Sequence, residues 1–306
     1  MKKILVATEK PFHPNAVEGI KNICSEAGYE FKLLEKYTDK SELLDAVKDA
    51  NALIIRSDKV TREVIDAGKN LEIIVRGGAG YDNVDLEAAT EKNIVVMNTP
   101  GQNSNAVAEL ALGMMVYSAR NQFNGKAGTE LRDKKLGIHA FGNVGSYVAD
   151  IARGFGMELY AHDPYVDNQL MQKAGIHPVE NVKDLYKNCD YISLHIPANG
   201  NTRQSINYDL LSIMPENGTL VNTARKEVIN EDDLLKVFEE KPTFKYVTDI
   251  APDCKDTLES KYADRYYATP KKMGAQTAEA NINAGLAAAK QIVDYFKNGV
   301  DTFKVN

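Results

Sequence analysis

The chain has 306 residues, 43% of them hydrophobic, and a formal net charge of -6. That length suits two domains, each with apolar bulk enough for its own core, and the acidic balance argues against a nucleic-acid partner, which would want a basic face. Cys24, Cys189 and Cys254 are odd in number and widely separated, with no C-x-x-C pair, so neither a disulfide framework nor a metal site is expected, and a reducing cytoplasm fits. No apolar run is long enough to span a bilayer, and residues 1–6 lead straight into a strand-like run without a signal-peptide layout.

Apolar spacing alternates between strand and helix periods along the chain. Residues 3–7 read as a strand, 14–27 as an amphipathic helix, 30–34 as a strand and 41–50 as a helix. Residues 52–56, 73–76 and 94–97 read as further buried strands, which completes one α/β layer. After Thr99-Pro100-Gly101, helical spacing over 104–119 carries the chain into a second domain. Its strands are expected at 137–141, 159–162, 191–195, 220–222, 245–248 and 266–268. Residues 276–297 are Ala-rich and helical, and 302–305 is expected to rejoin the first domain. The fold class this implies is α/β, two Rossmann-like doubly wound parallel-sheet domains. The first is discontinuous, 1–98 with 281–306, around a second at 99–280.

Residues 134–163 are the most specific stretch: an apolar run, a glycine-spaced turn, a helix and a second apolar run ending in an acid. Gly142 lets the backbone turn and approach a pyrophosphate, whose charge the start of the next helix meets through Asn143 and Val144. Gly145 lets that helix pack closely on the strand. Asp163 falls where an acid would hold the ribose hydroxyls of NAD and repel the extra phosphate of NADP. Ala140 stands where the fingerprint has its first glycine, tolerable at negative φ and uncomfortable at positive φ. A parallel βαβ unit without a ligand is the plain alternative.

Several segments together, in order and in register, resemble one family, the NAD-dependent D-2-hydroxyacid dehydrogenases, and within it the phosphoglycerate branch. They are IIRSDKVT at Ile54, VRGGAGYDNVDLEAA at Val75, NTPGQNSNAVAELALGMM at Asn98, HIPANGNTRQSIN at His195, GTLVNTARKEVINEDDL at Gly218 and ATPKKMGAQTAEA at Ala268, with the cofactor loop between them. The resemblance implies a first domain that binds a 2-hydroxy acid and a second that binds NAD. The implied reaction is oxidation of 3-phosphoglycerate to 3-phosphohydroxypyruvate, at the entry to serine biosynthesis. The alternatives are reduction of another 2-keto acid, such as glyoxylate, hydroxypyruvate or a D-lactate-type acid, and a non-catalytic NAD-sensing protein. The chain stops soon after Val305, so a short form without regulatory domains is expected. The helix at 104–119 resembles the one through which the family dimerises, although Leu110, Met114 and Met115 also suit interior packing.

On the substrate side, N–H groups around Gly77 and Gly78 suit an anion-binding nest. Arg56 and Ser57, at a strand end, suit a phosphate group or are a surface arginine with a capping serine. Asn103 matches a position near the bound acid or caps the next helix. His195, Thr223, Ala224 and Asp249 match cofactor contacts, Asp249 the one that holds the nicotinamide amide, with a strand-end cap as its plain alternative.

Arg225 follows a strand at the carboxyl edge, where open α/β sheets bind ligands. By resemblance it polarises the substrate carbonyl; a structural ion pair is the alternative. Lys226 follows it where the family usually has glycine. The family's acid/base histidine, in T-P-H-x-G, is replaced by Thr269-Pro270-Lys271-Lys272-Met273-Gly274 with one residue inserted, and the glutamate that holds its imidazole by Cys254. Counting back from Gly274 selects Lys272 and counting forward from Pro270 selects Lys271. A lysine has no tautomer to fix and starts near pKa 10.4, so it needs no carboxylate. Burial in a closed cleft and the charge of Arg225 would lower its pKa toward working pH. His195 is the rival proton donor, and a loop lysine in a binding protein the plain reading.

Overall fold

The computed structural model describes residues 1–306, which divide into two compact units, residues 1–103 with 276–306 and residues 104–275. The breaks lie at 103/104 and 275/276, a few residues inside 98/99 and 280/281. Residues 99–103 stay with the first unit because Thr99 N donates to Gly78 O at 3.0 Å, and 276–280 because Thr277 caps the helix that packs there.

The first unit begins β1 (Lys3–Thr8), α1 (Pro14–Glu26), β2 (Glu30–Glu35), α2 (Lys40–Val47) and β3 (Ala52–Ile55), and continues α3 (Arg62–Ala67), β4 (Ile73–Arg76), α4 (Leu86–Glu91) and β5 (Val95–Asn98). Its sheet is wholly parallel in the order β2-β1-β3-β4-β5. Strand alternation sorts the core into two layers. Ile4, Val6, Ala52, Ile54, Ile73 and Val75 line one face, and Leu5, Ala7, Leu53, Ile55, Ile74 and Val96 the other. The run Ala52–Ile55 is buried at every position, as a parallel strand covered on both faces must be.

Local chemistry starts and stops these helices. α1 opens with Pro14 at its first turn. α2 opens with a capping box between Asp39 and Glu42.

The second unit runs α5 (Ser104–Ala119), β6 (Lys135–His139), α6 (Asn143–Gly154), β7 (Glu158–His162), α7 (Asn168–Lys173), β8 (His177–Pro178), α8 (Val182–Asn188), β9 (Tyr191–Leu194), α9 (Tyr208–Leu211), β10 (Thr219–Asn222), α10 (Glu231–Glu240), β11 (Lys245–Thr248), α11 (Lys255–Tyr262) and β12 (Tyr266–Ala268). Its parallel sheet has the order β12-β11-β10-β9-β6-β7-β8. The order reverses between β6 and β9, the switch point at which such sheets bind ligands. Met114 and Met115 of α5 are buried in this unit's core and Leu110 packs against it, so interior packing accounts for all three. Gly137, in mid-strand, makes room for α8: a Cβ there would come within 2.6 Å of Ile192 and 2.9 Å of Leu185.

α12 (Ala278–Asn298) then returns the chain to the first unit, capped by Thr277 and stopped by the left-handed Gly299 (φ 68°). Small residues let it lie close to α1, Gly285 against Ile20 and Gly19 against Leu286. The tail rejoins the sheet by an antiparallel bridge between Met97 and Lys304, with Val305 N on Val96 O at 2.9 Å, and forms no full strand.

The α/β architecture agrees with the reading of the sequence, with one shift that matters. The strand expected at 137–141 ends at His139, because Ala140 turns into the left-handed region at φ 82°. This is the unfavourable sign for a side chain, costing about 1–2 kcal/mol at a non-glycine residue. Replacing Ala140 with glycine relieves that strain, against the extra freedom of the unfolded chain. Thermal unfolding of Ala140→Gly is expected at a midpoint a few degrees higher than the parent, with the same far-ultraviolet circular dichroism.

Candidate active site

At the switch point of the second unit, β6 leads through Ala140, Phe141 and Gly142 into α6. No side chain caps α6 at Gly142. The N–H groups of its first turn, on Asn143, Val144 and Gly145, therefore face outward toward any anion placed there. Gly145 is required by packing, since a Cβ would lie 2.4 Å from Ala140 O. Gly142 is different. Its φ is -84° and nothing lies within 4 Å of where a Cβ would be, so the fold itself does not demand glycine and the space above it is open. Asp163, at the end of β7, ties this turn together: Oδ2 accepts from Phe141 N at 2.8 Å and Oδ1 from Tyr165 N at 2.9 Å. An open glycine, an uncapped helix start and an acid on the neighbouring strand fit the pyrophosphate and ribose of a dinucleotide.

Beside this turn lie histidines at the ends of three adjacent strands. His139 Nδ1 is 3.0 Å from Tyr186 Oη, His162 Nδ1 is 2.8 Å from Val179 O, and His195 Nε2 is 2.9 Å from Ser193 Oγ. Burial pushes His139 down to about 4, helped by His162 and opposed by Asp163. Burial and then His139 push His195 down to about 3. Both rings are therefore neutral at physiological pH, and His195 has no imidazolium proton to offer.

Further along the same edge, β10 ends at Asn222 and is followed by Thr223, Ala224 and Arg225. Asn222 is fully buried and shapes the turn, its Oδ1 accepting from Ala224 N at 3.0 Å and its Nδ2 donating to Arg225 O at 3.0 Å. The Thr223 hydroxyl is buried without a partner, as expected of a group that meets a ligand. Arg225 donates to Ala224 O at 2.8 Å and makes no ion pair, so a structural salt bridge does not account for it. Lys226 pairs instead with Asp253.

The lysine loop follows β12, with Lys271, Lys272 and Met273 exposed and Gly274 buried. Asp249, only 1% exposed, accepts from Thr269 Oγ1 at 2.8 Å, Met273 N at 2.8 Å and Gly274 N at 2.9 Å. It is a strand-end cap of unusual completeness. Cys254 does not take over a carboxylate's role. Burial and Glu231 push its thiol up to about 12, and Glu231 accepts from the backbone N–H groups of Asp253 and Cys254 at 2.9 and 2.7 Å.

The first unit carries the remaining candidates. Arg56 is half-buried over the Phe12 ring, and its Nη1 donates to Lys10 O and Pro11 O at 3.2 and 3.0 Å. Ser57 is exposed, and Asn103 is the last residue of this stretch of the unit. The nest is narrower than expected, because Gly77 N is spent on Ile55 O at 2.8 Å, a continuation of the β3–β4 ladder. Gly78 sits at φ 148°, a backbone conformation that side chains rarely adopt, and a Cβ there would also meet the flexible end of Arg76.

Arg76 itself escaped the sequence reading. Its Nε is buried without a partner, and burial and then Arg56 lower its hold on its proton. The signal was present in the register, since Ile55 pairs with Arg76 across parallel strands. Arg56 lies one position past that partner on the neighbouring strand, and its charge reaches Arg76.

A family model for the catalytic domain of D-isomer specific 2-hydroxyacid dehydrogenases matches residues 4–306, and the chain belongs to that family. A D-3-phosphoglycerate dehydrogenase of Methanocaldococcus jannaschii is 36% identical over 309 residues, covering 95% of this chain and 57% of that protein. The chain thus spans little more than half that relative's length. A hydroxypyruvate reductase of Thermotoga maritima is 37% identical over 287 residues, 86% of this chain and 90% of its own length. Among solved structures, NAD+-bound 3-phosphoglycerate dehydrogenase of Entamoeba histolytica matches with a TM-score of 0.86 at 46% identity, covering 100% of this chain and 98% of that one.

The two buried histidines set an acid limit on stability. An unfolded imidazole titrates near 6.5, above both folded values. The unfolded chain therefore takes up protons first, and the stability present above pH 6.5 is lost as pH falls toward 4 and then 3. Two such groups remove about 4 kcal/mol between pH 7 and pH 5, a fall in unfolding midpoint on the order of 10 °C. His195→Gln is expected to flatten that acid limb; a limb of unchanged steepness would assign the loss to other groups.

Proposed function

We propose that the protein is an NAD-dependent dehydrogenase that interconverts 3-phosphoglycerate and 3-phosphohydroxypyruvate, the step that feeds serine biosynthesis. The observation that carries the substrate is the pair Arg56 and Arg76. Two half-buried guanidinium groups lie on adjacent strands. Burial and then Arg56 lower the hold of Arg76 on its proton, partly offset by Asp82, and burial lowers that of Arg56, partly offset by Asp58. One Arg76 N–H is left unpartnered, a situation a doubly charged phosphate suits through charge-assisted hydrogen bonds. The N–H groups that follow Gly77 suit the same anion.

In the second unit, Asn143, Val144, Gly145 and Asp163 hold the dinucleotide, with the lone Thr223 hydroxyl, Ala224 and the neutral His195 beside it. A bound nicotinamide supplies the hydride acceptor. Arg225 binds the substrate carboxylate and stabilises the charge on the carbonyl oxygen. During oxidation the amine of Lys272 accepts the proton of the substrate hydroxyl, and during reduction its ammonium returns one. His195, held neutral by burial, orients rather than donates. We take the protein to work in the cytoplasm as a homodimer: three free cysteines suit a reducing compartment, and exposed Gly113 on α5 leaves open space for close approach of a second helix.

The second reading, reduction of hydroxypyruvate, is favoured by the Thermotoga relative, which this chain matches over most of its length. The two keto acids differ by the phosphate, so Arg76 decides between them. Arg76→Met is expected to lower kcat/KM for 3-phosphohydroxypyruvate by on the order of 100-fold and to leave hydroxypyruvate turnover unchanged. An equal effect on both substrates would remove the phosphate from the proposal.

Lys272→Met is expected to abolish turnover with NADH binding intact, while Lys271→Met retains it. For a lysine base, the oxidation rate rises with pH and the reduction rate falls through the same apparent pKa. Near-normal turnover in Lys272→Met would end the proton-transfer assignment.

A further inference from the structure

We infer that Asp58 is a positioning residue for the phosphate site: its buried carboxylate ties the turn that carries Arg56 to the turn on which the Arg56 guanidinium rests, and so fixes the arginine's aim before substrate arrives. This rests on the reading of Arg56 and Arg76 as the phosphate-binding pair.

Turns that follow β1, β2 and β3 of the first unit meet at this carboxylate. Asp58, beyond β3, is 3% exposed. Its Oδ1 accepts from Glu9 N, just after β1, at 2.7 Å and from Tyr37 Oη, beyond β2, at 2.8 Å. Its Oδ2 lies 3.4 Å from Arg56 N, a long contact that adds little. The grip on the 9–12 turn is therefore the strong one, and that turn is where the arginine head lies. Arg56 Nη1 donates to Lys10 O and Pro11 O, and its guanidinium sits 5.3 Å from the centre of the Phe12 ring. Thr8 Oγ1 donates to Lys10 O at 2.6 Å, so the turn is held from its own strand as well.

The base of the arginine is held separately. Asn83 Nδ2 donates to Arg56 O at 3.2 Å and to Asp58 O at 2.6 Å, and Val60 N donates to Asn83 O at 2.8 Å. Asp58 thus takes part at both ends of Arg56, through its carbonyl at the backbone and through its carboxylate at the head.

A free arginine side chain is flexible, and an anion site built on one loses affinity to the ordering that binding demands. Here the fold has already done that ordering. A buried carboxylate beside a phosphate site opposes the incoming charge, so its presence needs a reason. Two donors on Oδ1 disperse its charge, and it steadies the protonated Arg56 guanidinium against burial. An apolar residue at 58 would leave Glu9 N and Tyr37 Oη without this acceptor.

The test uses Asp58→Ala, Asp58→Asn and Tyr37→Phe in the whole protein, and reads the ratio of kcat/KM for 3-phosphohydroxypyruvate to that for hydroxypyruvate. In Asp58→Ala the ratio is expected to fall on the order of 10-fold, through KM and not kcat. Asp58→Asn is expected to return it to within about threefold of the parent, because an amide oxygen still accepts from Glu9 N and Tyr37 Oη. Tyr37→Phe keeps the ring and removes one of the two donors, and its expected fall of about threefold carries the test should Asp58→Ala fail to fold. Added to Arg56→Met, Asp58→Ala is expected to lower the ratio no further.

A carboxylate that only stabilises the fold lowers the unfolding midpoint and slows both substrates alike. Where Arg56→Met lowers the ratio, an unchanged ratio in Asp58→Ala and Tyr37→Phe, or a further fall in the double variant, overturns the inference. The order parameter of the Arg56 Nε–H bond, read by nuclear magnetic resonance without substrate, is expected to drop in Asp58→Ala and less in Tyr37→Phe. An order parameter equal to the parent's in both overturns the inference by itself. If it drops while Arg56→Met leaves the ratio unchanged, the phosphate reading has failed and the positioning of Arg56 by Asp58 stands.

Discussion

Parallel pairing is the constraint from which the rest follows. Every ladder of strands in both sheets runs one way, so the carboxyl ends of all strands in a unit gather on one edge and the turns that leave them become neighbours. Ala140, Asp163, His195, Arg225, Asp249 and Lys272 are scattered over more than a hundred positions of sequence, yet each follows or ends a strand of the same sheet. The core makes this edge stiff. Strands such as Thr219–Asn222 and Tyr191–Leu194 are buried at every position, and a close-packed interior does not yield when a ligand pulls on its rim.

Polar groups along these edges divide into two kinds. Asn222, Thr248, Asp249 and Thr269 are buried and satisfied by one another or by the backbone. They cost little because every lone pair or proton that matters has a partner. Thr223 Oγ1 in the second unit and Arg76 Nε and Thr99 Oγ1 in the first are buried without one, as are atoms of Glu35, Thr61, Asn207, Tyr266 and Gln291. The satisfied groups form a rigid frame along the edge.

The sequence makes the architecture readable because apolar periodicity is set by burial on sheet faces, and burial here is strong and regular. Strand and helix positions were expected within a residue or two at β11, β12 and α5, and the glycine turn placed the switch point. What escaped is set by distance in space. Arg76 reads as the polar end of a strand until the fold brings the charge of Arg56 near it. The use of Gly77 N in the ladder depends on a hydrogen bond to another strand. The sign of φ at Ala140 is likewise invisible: an alanine in the first position of the turn says that a methyl group is tolerated, and only the backbone shows that it is tolerated in the left-handed region.

The exchange of a histidine for a lysine touches more than one residue. In the pattern the chain resembles, a glutamate holds the imidazole from the turn after β11. Here that turn carries Asp253 and Cys254, and a carboxylate from α10, Glu231, takes up their N–H groups. Its charge is thereby spent on backbone donors, and the neighbouring thiol is held protonated. Lys226 takes the side chain of Asp253. Glu231 and Asp253 are thus committed to holding turns.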